Sequence, residues 1–531
     1  MQAGESRRRL PQARRQRGLL RRREEAQRDH ADAAPRAEAR DPRRDRLGPR
    51  HRCPAGRRRR RERAPRSGAR HRHGHALPAP AESRGPGPGP RAGERTHGPL
   101  RRPRARPRTR GEGLRLDRGR GGERGLMARL APEDWLDAAR ARVAPDGGGD
   151  ALAALVLPGR RSESWKYSRV GPLLEEGLLD APAADAPSEA PAPLDASALQ
   201  FLVVDGLLRE APDLPAGCTL ERAAVAPSGD ERPFVILADA LAAETLVLRV
   251  AAGTRLERPV EIVLAQNGAG RPCGANVRLR VELGEGAEAS IVERQLGDAM
   301  VFTNSVIEAR IAANARLHHH RVALAAGAGR WLTALDVHVA RDAHYGLHQA
   351  LAGAAFRRSE VRIFLDEPGA HAEVGGATLT RDRGHLDTQM CLEHAAPHCT
   401  SNQVFRAIAG EKSRTILNGR IHIHRDAQKT AAELSTKNLL LSAEAEIDAK
   451  PELEIYADDV TCAHGATVGQ LDPTSLFYLR SRGIDEARAR TMLSFAFLAD
   501  VVGDFPLETV RESVRAVLED AFSARAQETT P

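Results

Sequence analysis

Several groupings of side chains in this 531-residue sequence could do chemistry. Cys462-Ala463-His464 sets a thiol and an imidazole two residues apart. In a strand, residues i and i+2 share a face, so the pair could meet one soft or borderline metal, iron included. Two ligands do not close a four-ligand site, so a partner chain would have to supply the rest. The competing reading is a buried structural Cys beside a His. His422-x-His424 has the same one-face geometry, either as two imidazoles for a metal or as rungs of a stacking ladder. His318-His319-His320 cannot converge, because neighbours in a strand alternate faces, and it reads as surface or interface histidine. Cys391 and Cys399, with His394 and His398 between them, follow no standard ligand spacing and read as core or surface.

Other chemistries find no support. Gly410-Glu411-Lys412-Ser413 hints at a phosphate loop, but the first Gly and the spacing of a Walker motif are missing, so no ATP is expected on this chain. There is no nucleophile elbow and no evident acid/base pair of carboxylates. The chain does not read as a self-sufficient enzyme. A polysaccharide-cleaving β-helix would need such carboxylates or a calcium site, and a secretion signal.

The elements that must position these residues begin only after a compositional break. Residues 1–126 hold 39 Arg against 14 acidic residues and contain no Lys, Val, Ile, Phe, Trp, Tyr or Asn. The remainder holds 42 basic and 57 acidic residues. The head has almost nothing to bury and cannot offset the entropy of ordering, so it is expected to be disordered. Arginine clusters such as Arg57–Arg61 could touch phosphates, but no Lys or aromatic is interleaved for a nucleic-acid arm. Whole residue types missing from an Arg/Gly/Pro/Ala-rich stretch is what GC-rich DNA gives in a non-coding frame. The expected start is therefore Met127. No apolar run is long enough to span a membrane and no secretory signal precedes the body. Six irregularly spaced cysteines make no disulfide framework, and a cytoplasmic location is expected.

Residues 127–195 read as a helical region and linker. Trp135, Leu136, Ala139 and Val143 lie at helical spacing over 133–143, a second short helix is expected at 151–157, and 181–193 is Ala/Pro/Asp-rich. Residues 196–470 read as a long series of short strands. They include Phe201–Val204, Thr245–Val250, Val260–Ala265, Val277–Leu283, Ser413–Ile423 and Ala445–Glu454. A sandwich, barrel, propeller or β-helix would each fit, and the scarcity of hairpin turns leans toward a solenoid. Residues 471–531 turn helical, with a start at Asp472-Pro473, a stop at Gly483 and amphipathic stretches over 485–502 and 507–522.

The run Asp458-Asp459-Val460-Thr461-Cys462-Ala463-His464-Gly465-Ala466-Thr467-Val468-Gly469 resembles the SufB/SufD family of iron–sulfur cluster assembly proteins, on its SufD side. So do Leu476-Phe477-Tyr478-Leu479-Arg480-Ser481-Arg482-Gly483, Thr436-Lys437-Asn438-Leu439 and Ser164-Trp165-Lys166-Tyr167. The SufB side typically carries His-Glu-Ala-Thr where this chain has His464-Gly465-Ala466-Thr467. The resemblance covers 127–531 and implies a right-handed parallel β-helix between helical ends. It implies pairing with a SufB-like subunit, and docking of a SufC-like ABC ATPase on Leu476, Phe477, Tyr478, Arg480, Arg482, Met492 and Phe495. It implies a scaffold role, with Cys462 and His464 meeting a transient Fe–S cluster or iron at the partner interface and sulfur arriving indirectly from a cysteine desulfurase. No membrane and no nucleic acid enter this reading. A SufB-like paralogue or a homodimeric scaffold are its near alternatives.

Overall fold

Along residues 199–440 short strands follow one another, some buried along nearly their whole length, as at His344–Ala352, and others alternating between a buried and a more open face with the period of a strand, as over much of Arg414–Ile423. The computed structural model describes residues 129–528 apart from 144–151, 153, 154, 160, 184–188, 298 and 326. The arginine-rich head, the expected start at Met127 and part of the helix expected at 151–157 lie outside the described residues.

Strands alternate in chain order between two sheets. The first sheet contains β1 (Leu199–Val204), β2 (Leu207–Glu210), β5 (Val260–Ala265), β7 (Glu288–Leu296), β9 (Arg316–Ala323) and β11 (His344–Ala352), then β13 (His371–Thr380), β15 (Thr400–Ala409), β17 (Ala431–Leu440) and β19 (Thr461–Gly469). The second contains β3 (Cys218–Ala223), β4 (Thr245–Val250), β6 (Cys273–Leu283), β8 (Val301–Ile311) and β10 (Arg330–Val339), then β12 (Phe356–Leu365), β14 (His385–His394), β16 (Arg414–Ile423) and β18 (Glu446–Ile455). From β4 onward each strand pairs in parallel with the strand one coil away. The rise per coil ranges from 26 residues (Arg330 opposite Phe356) to 33 (Thr245 opposite Arg278). The protein is mainly β, and this topology is a parallel β-helix. The sandwich, barrel and propeller readings fall away, because their neighbours would be antiparallel hairpins.

Inward-facing residues of both sheets fill the solenoid. Leu335, Val361 and Ile421 of the second sheet share one buried cluster with Leu347, Val374 and Leu434 of the first. Asn418-Gly419 sits in the middle of β16 rather than in a turn. A Cβ at Gly419 would stand 2.7 Å from Leu434 Cδ2, so only glycine lets that leucine fill the inner layer.

Helices cover part of each outer face. On the second sheet lie α1 (Pro132–Ala141), which starts with proline at its first position, and α2 (Pro233–Leu241). Trp135, Trp165 and Leu178 pack there with Phe234, Phe302 and Phe356. On the first sheet lie α4 (Glu486–Val502) and α5 (Glu508–Glu528), preceded by α3 (Pro473–Ser481). Leu498, Val501, Phe505, Val510 and Val514 pack against Val322, Ala350, Ala377 and Ile408. Asp472 caps α3 by accepting from Thr474 N (3.1 Å) and Ser475 N (3.0 Å), and Asp485 caps α4 by accepting from Arg488 N (2.9 Å). Among the described residues no helix is long and apolar enough to cross a membrane.

Candidate functional site

β19 is the last strand of the first sheet. It pairs with β17 on one side, and among the described residues no strand lies on the other. Cys462 stands opposite Ala432 and His464 opposite Leu434. Both opposing residues belong to the inner core, so Cys462 and His464 also take inward-facing positions. The strand period thus brings the two together on one face. Their burial differs: Cys462 is half-buried against the core, whereas His464 is exposed. An inward position is exposed here because, among the described residues, no further coil stacks on the one formed by β18 and β19. Ile455 (41% exposed) and Val468 (47%) are uncovered at the same end. Burial pushes the Cys462 thiol up, against a smaller opposing pull from the Ala432 backbone. The thiol is therefore protonated at neutral pH, and a metal or cation must displace that proton before sulfur can ligate.

The residues expected to dock an ATPase gather just beyond. α3 buries none of its side chains: Phe477 is 71% exposed and Tyr478 57%. The Arg482 guanidinium lies 5.2 Å over the Tyr478 ring, and Arg480 pairs with Glu486 at 3.4 Å. Met492 on α4 is also exposed. Leu476 and Phe495 are half-buried, Phe495 against the cluster that fastens α4 to the first sheet. An exposed aromatic and methionine surface on capped helices suits a protein contact.

Outside this end, the other groupings resolve differently from their linear spacing. His319 turns inward and shares a 3.0 Å hydrogen bond with the Tyr345 hydroxyl. His318 and His320 turn outward beside His344 and His348 of the next coil, and His344 stacks on His371. His319 and His320 are buried rather than on the surface, and His318 is half-buried. Phe505 covers His320 and His348, and burial, with neighbouring imidazoles adding to it, pushes His348 down to about 4 and His320 to about 2. The cover arrives from the connection between α4 and α5, far along the chain from both histidines, which no local pattern announces.

Cys399 is core, Cys391 lies on the outer face of the second sheet, and His394 turns inward to Ser401 at 3.0 Å. Gly410–Ser413 makes a corner leading into β16, with the Ser413 hydroxyl donating to Gly410 O (2.7 Å) and Thr380 O (3.0 Å). A strand rather than a helix follows, so the corner lacks the helix N-terminus of a phosphate cradle. His422 and His424 do share a face, and Glu393 of the preceding coil, which their spacing could not reveal, lies between them.

The sequence model described as "SUF system FeS cluster assembly, SufBD core domain" matches residues 264–497. The iron-sulfur cluster assembly protein SufD of Escherichia coli is 32% identical over 372 residues, covering 68% of this chain and 88% of that protein. The chain belongs to the SufB/SufD family. A further SufBD family protein, from Synechocystis, is 27% identical over 409 residues, covering 70% of this chain and 88% of its own length. The chloroplastic protein ABCI7 of Arabidopsis thaliana is 30% identical over 285 residues, covering 52% of this chain and 60% of itself. The SufB/SufD match spans most of the solenoid and its last coil, where Cys462 and His464 stand, and reaches α4.

Proposed function

We propose that this chain is a SufD-type scaffold subunit of an iron–sulfur cluster assembly complex. In this reading it pairs with a SufB-like subunit through the open end of the solenoid and with a SufC-like ATPase through α3 and α4. The observation that carries the reading is the placement of Cys462 and His464 at inward positions of an uncapped terminal strand. An unpaired strand edge with exposed apolar neighbours is a template for another chain, and that chain would complete the ligand set. The iron or nascent cluster is cargo, held transiently between the two subunits, and ATP is bound by the ATPase partner.

The helices supply a coupling route. α4 is fixed to the first sheet through Leu498 and Val501 and through the Arg406–Asp500 pair at 3.0 Å. Closure of the ATPase subunits against Phe477 and Tyr478 would therefore be delivered to the sheet whose last strand carries His464. Opening of the subunit interface then exposes the pair to incoming iron and sulfur, a two-state rearrangement of ordinary kind.

The test is anaerobic purification of the tagged chain with its partners, followed by cluster reconstitution. His464→Ala is expected to leave the complex intact and lower cluster yield at least about tenfold, the weakening expected when a metal-site group is lost. Phe477→Ala is expected to leave the fold intact and release the ATPase. A normal assembly rate with His464→Ala, or a chain that elutes only as a homodimer, overturns the reading.

A further inference from the structure

The outer face of the second sheet holds a grouping that the assembly role does not use. Glu393 on β14 and His422 on β16 are register partners one coil apart, and His424 follows two residues later, just past the strand end. Strand period sends His422 and His424 to the same side, with ring centroids 4.5 Å apart. Both imidazoles turn a nitrogen to a single oxygen, Glu393 Oε2: Nε2 of His424 lies 3.0 Å from it, and Nδ1 of His422 is also bonded to it. One ligand atom from each of the three residues falls within 4.8 Å of the others.

The second carboxylate oxygen is held from behind. Glu393 Oε1 accepts from the Cys391 thiol at 3.2 Å and faces Arg420 Nη2 at 3.4 Å. Arg420 Nε in turn reaches the Cys391 sulfur at 3.3 Å, and Nη1 lies 3.5 Å from Glu454. The edge of Tyr456 backs the His422 ring at 5.5 Å. One oxygen is thus fixed by an outer ring of partners while the other is aimed at two imidazoles, the division of labour that orients a metal-ligating carboxylate.

We propose that Glu393, His422 and His424 form a binding site for a divalent first-row transition metal of the Fe²⁺/Zn²⁺ class. Two nitrogens and one carboxylate oxygen on one side of the ion leave its other positions to water, an open site suited to exchange rather than to permanent structure. Arg420 stays on the far oxygen and partly neutralises the carboxylate, which tempers affinity and favours a releasable ion. The location is the corner where β16 passes to β17, one coil before the corner that leads from β18 into β19 and Cys462. The site draws no residue from Cys462 or His464 and does not rest on the proposed function.

The test uses the full chain, stripped with chelator and titrated anaerobically with Co²⁺ as a spectroscopic probe, then with Fe²⁺ in competition. One Co²⁺ equivalent is expected that Fe²⁺ displaces, and Cys462→Ser/His464→Ala should leave it in place. His424→Asn, at an exposed residue outside the strand, should weaken it by more than about 100-fold, beyond the roughly 10–100-fold typical of outer-shell partners. Arg420→Gln should change affinity without abolishing the signal. Unaltered far-UV dichroism and metal-free melting of the variants confirm the fold. The proposal is overturned if the chain takes up no Co²⁺, if the equivalent survives Glu393→Gln/His424→Asn, or if it disappears with Cys462→Ser/His464→Ala.

Discussion

Arg358 and Asp387 form an ion pair in which each side chain is only 1% exposed, between register-paired positions of β12 and β14. The same guanidinium lies 4.1 Å over the Trp165 ring and donates from Nη2 to Ser164 O at 2.8 Å. One arginine therefore fastens the N-terminal segment to the second sheet while holding two coils in register. Burial alone would lower its pKa, but Asp387 and Glu360 more than offset this and raise it.

Removing the acid leaves that guanidinium buried with less compensation. Asp387→Asn is expected to destabilise the protein by about 3–5 kcal/mol, the usual result of breaking one side of a buried pair. Thermal melting measures the loss, and limited proteolysis should show earlier cleavage around 159–170. A melting curve unchanged from the parent would mean that the pair does not fasten this segment.

The inner layer makes a second, purely steric prediction. Gly419→Ala puts a methyl 2.7 Å from Leu434 Cδ2, whereas the nearest atom to a Cβ at Gly410 is 3.9 Å away. Gly419→Ala should cost about 1–3 kcal/mol through overpacking, and Gly410→Ala should be near neutral. Urea unfolding of the two variants side by side checks the contrast.

Acid should loosen the fold through its covered histidines. His348 is held down to about 4 by burial, against about 6.5 in an unfolded chain. The unfolded state therefore binds more protons between these values. The contribution is fully present above about pH 6.5 and is lost as pH falls toward 4, worth about 3 kcal/mol for such a shift. His348→Gln should flatten stability against pH in that window, measured by denaturant midpoints from pH 7 to 4. A slope unaffected by the substitution would place the titrating groups elsewhere.

Much of the architecture was legible because apolar alternation persists from strand to strand and helix starts such as Asp472-Pro473 carry their own caps. What escaped was imposed from outside the segment. His344–Ala352 is a strand although its Ala, Gly and His content gives little local preference for one. Neighbours on both sides supply the ladder. α2, nine residues amid a strand-dominated pattern and marked only by Pro233 at its start, forms because Phe234 and Leu237 find the aromatic layer on the second sheet. The Cys462/His464 placement followed from period two alone. Glu393 did not, since its relation to His422 is a coil length, which only a settled register turns into a contact.

That register has a kinetic consequence. In a stack whose strands pair only with those of the adjoining coils, a strand with one partner opens at a smaller free-energy cost than a strand with two. Cys462 and His464 ride on such a strand, held by hydrogen bonds from β17 alone. Amide protons of 461–469 should exchange with solvent sooner than those of β11 or β13 in the middle of the stack. A subunit that seals the end would slow that exchange, so the same strand serves as a weak seam of the chain and as the gauge of whether it has met its counterpart.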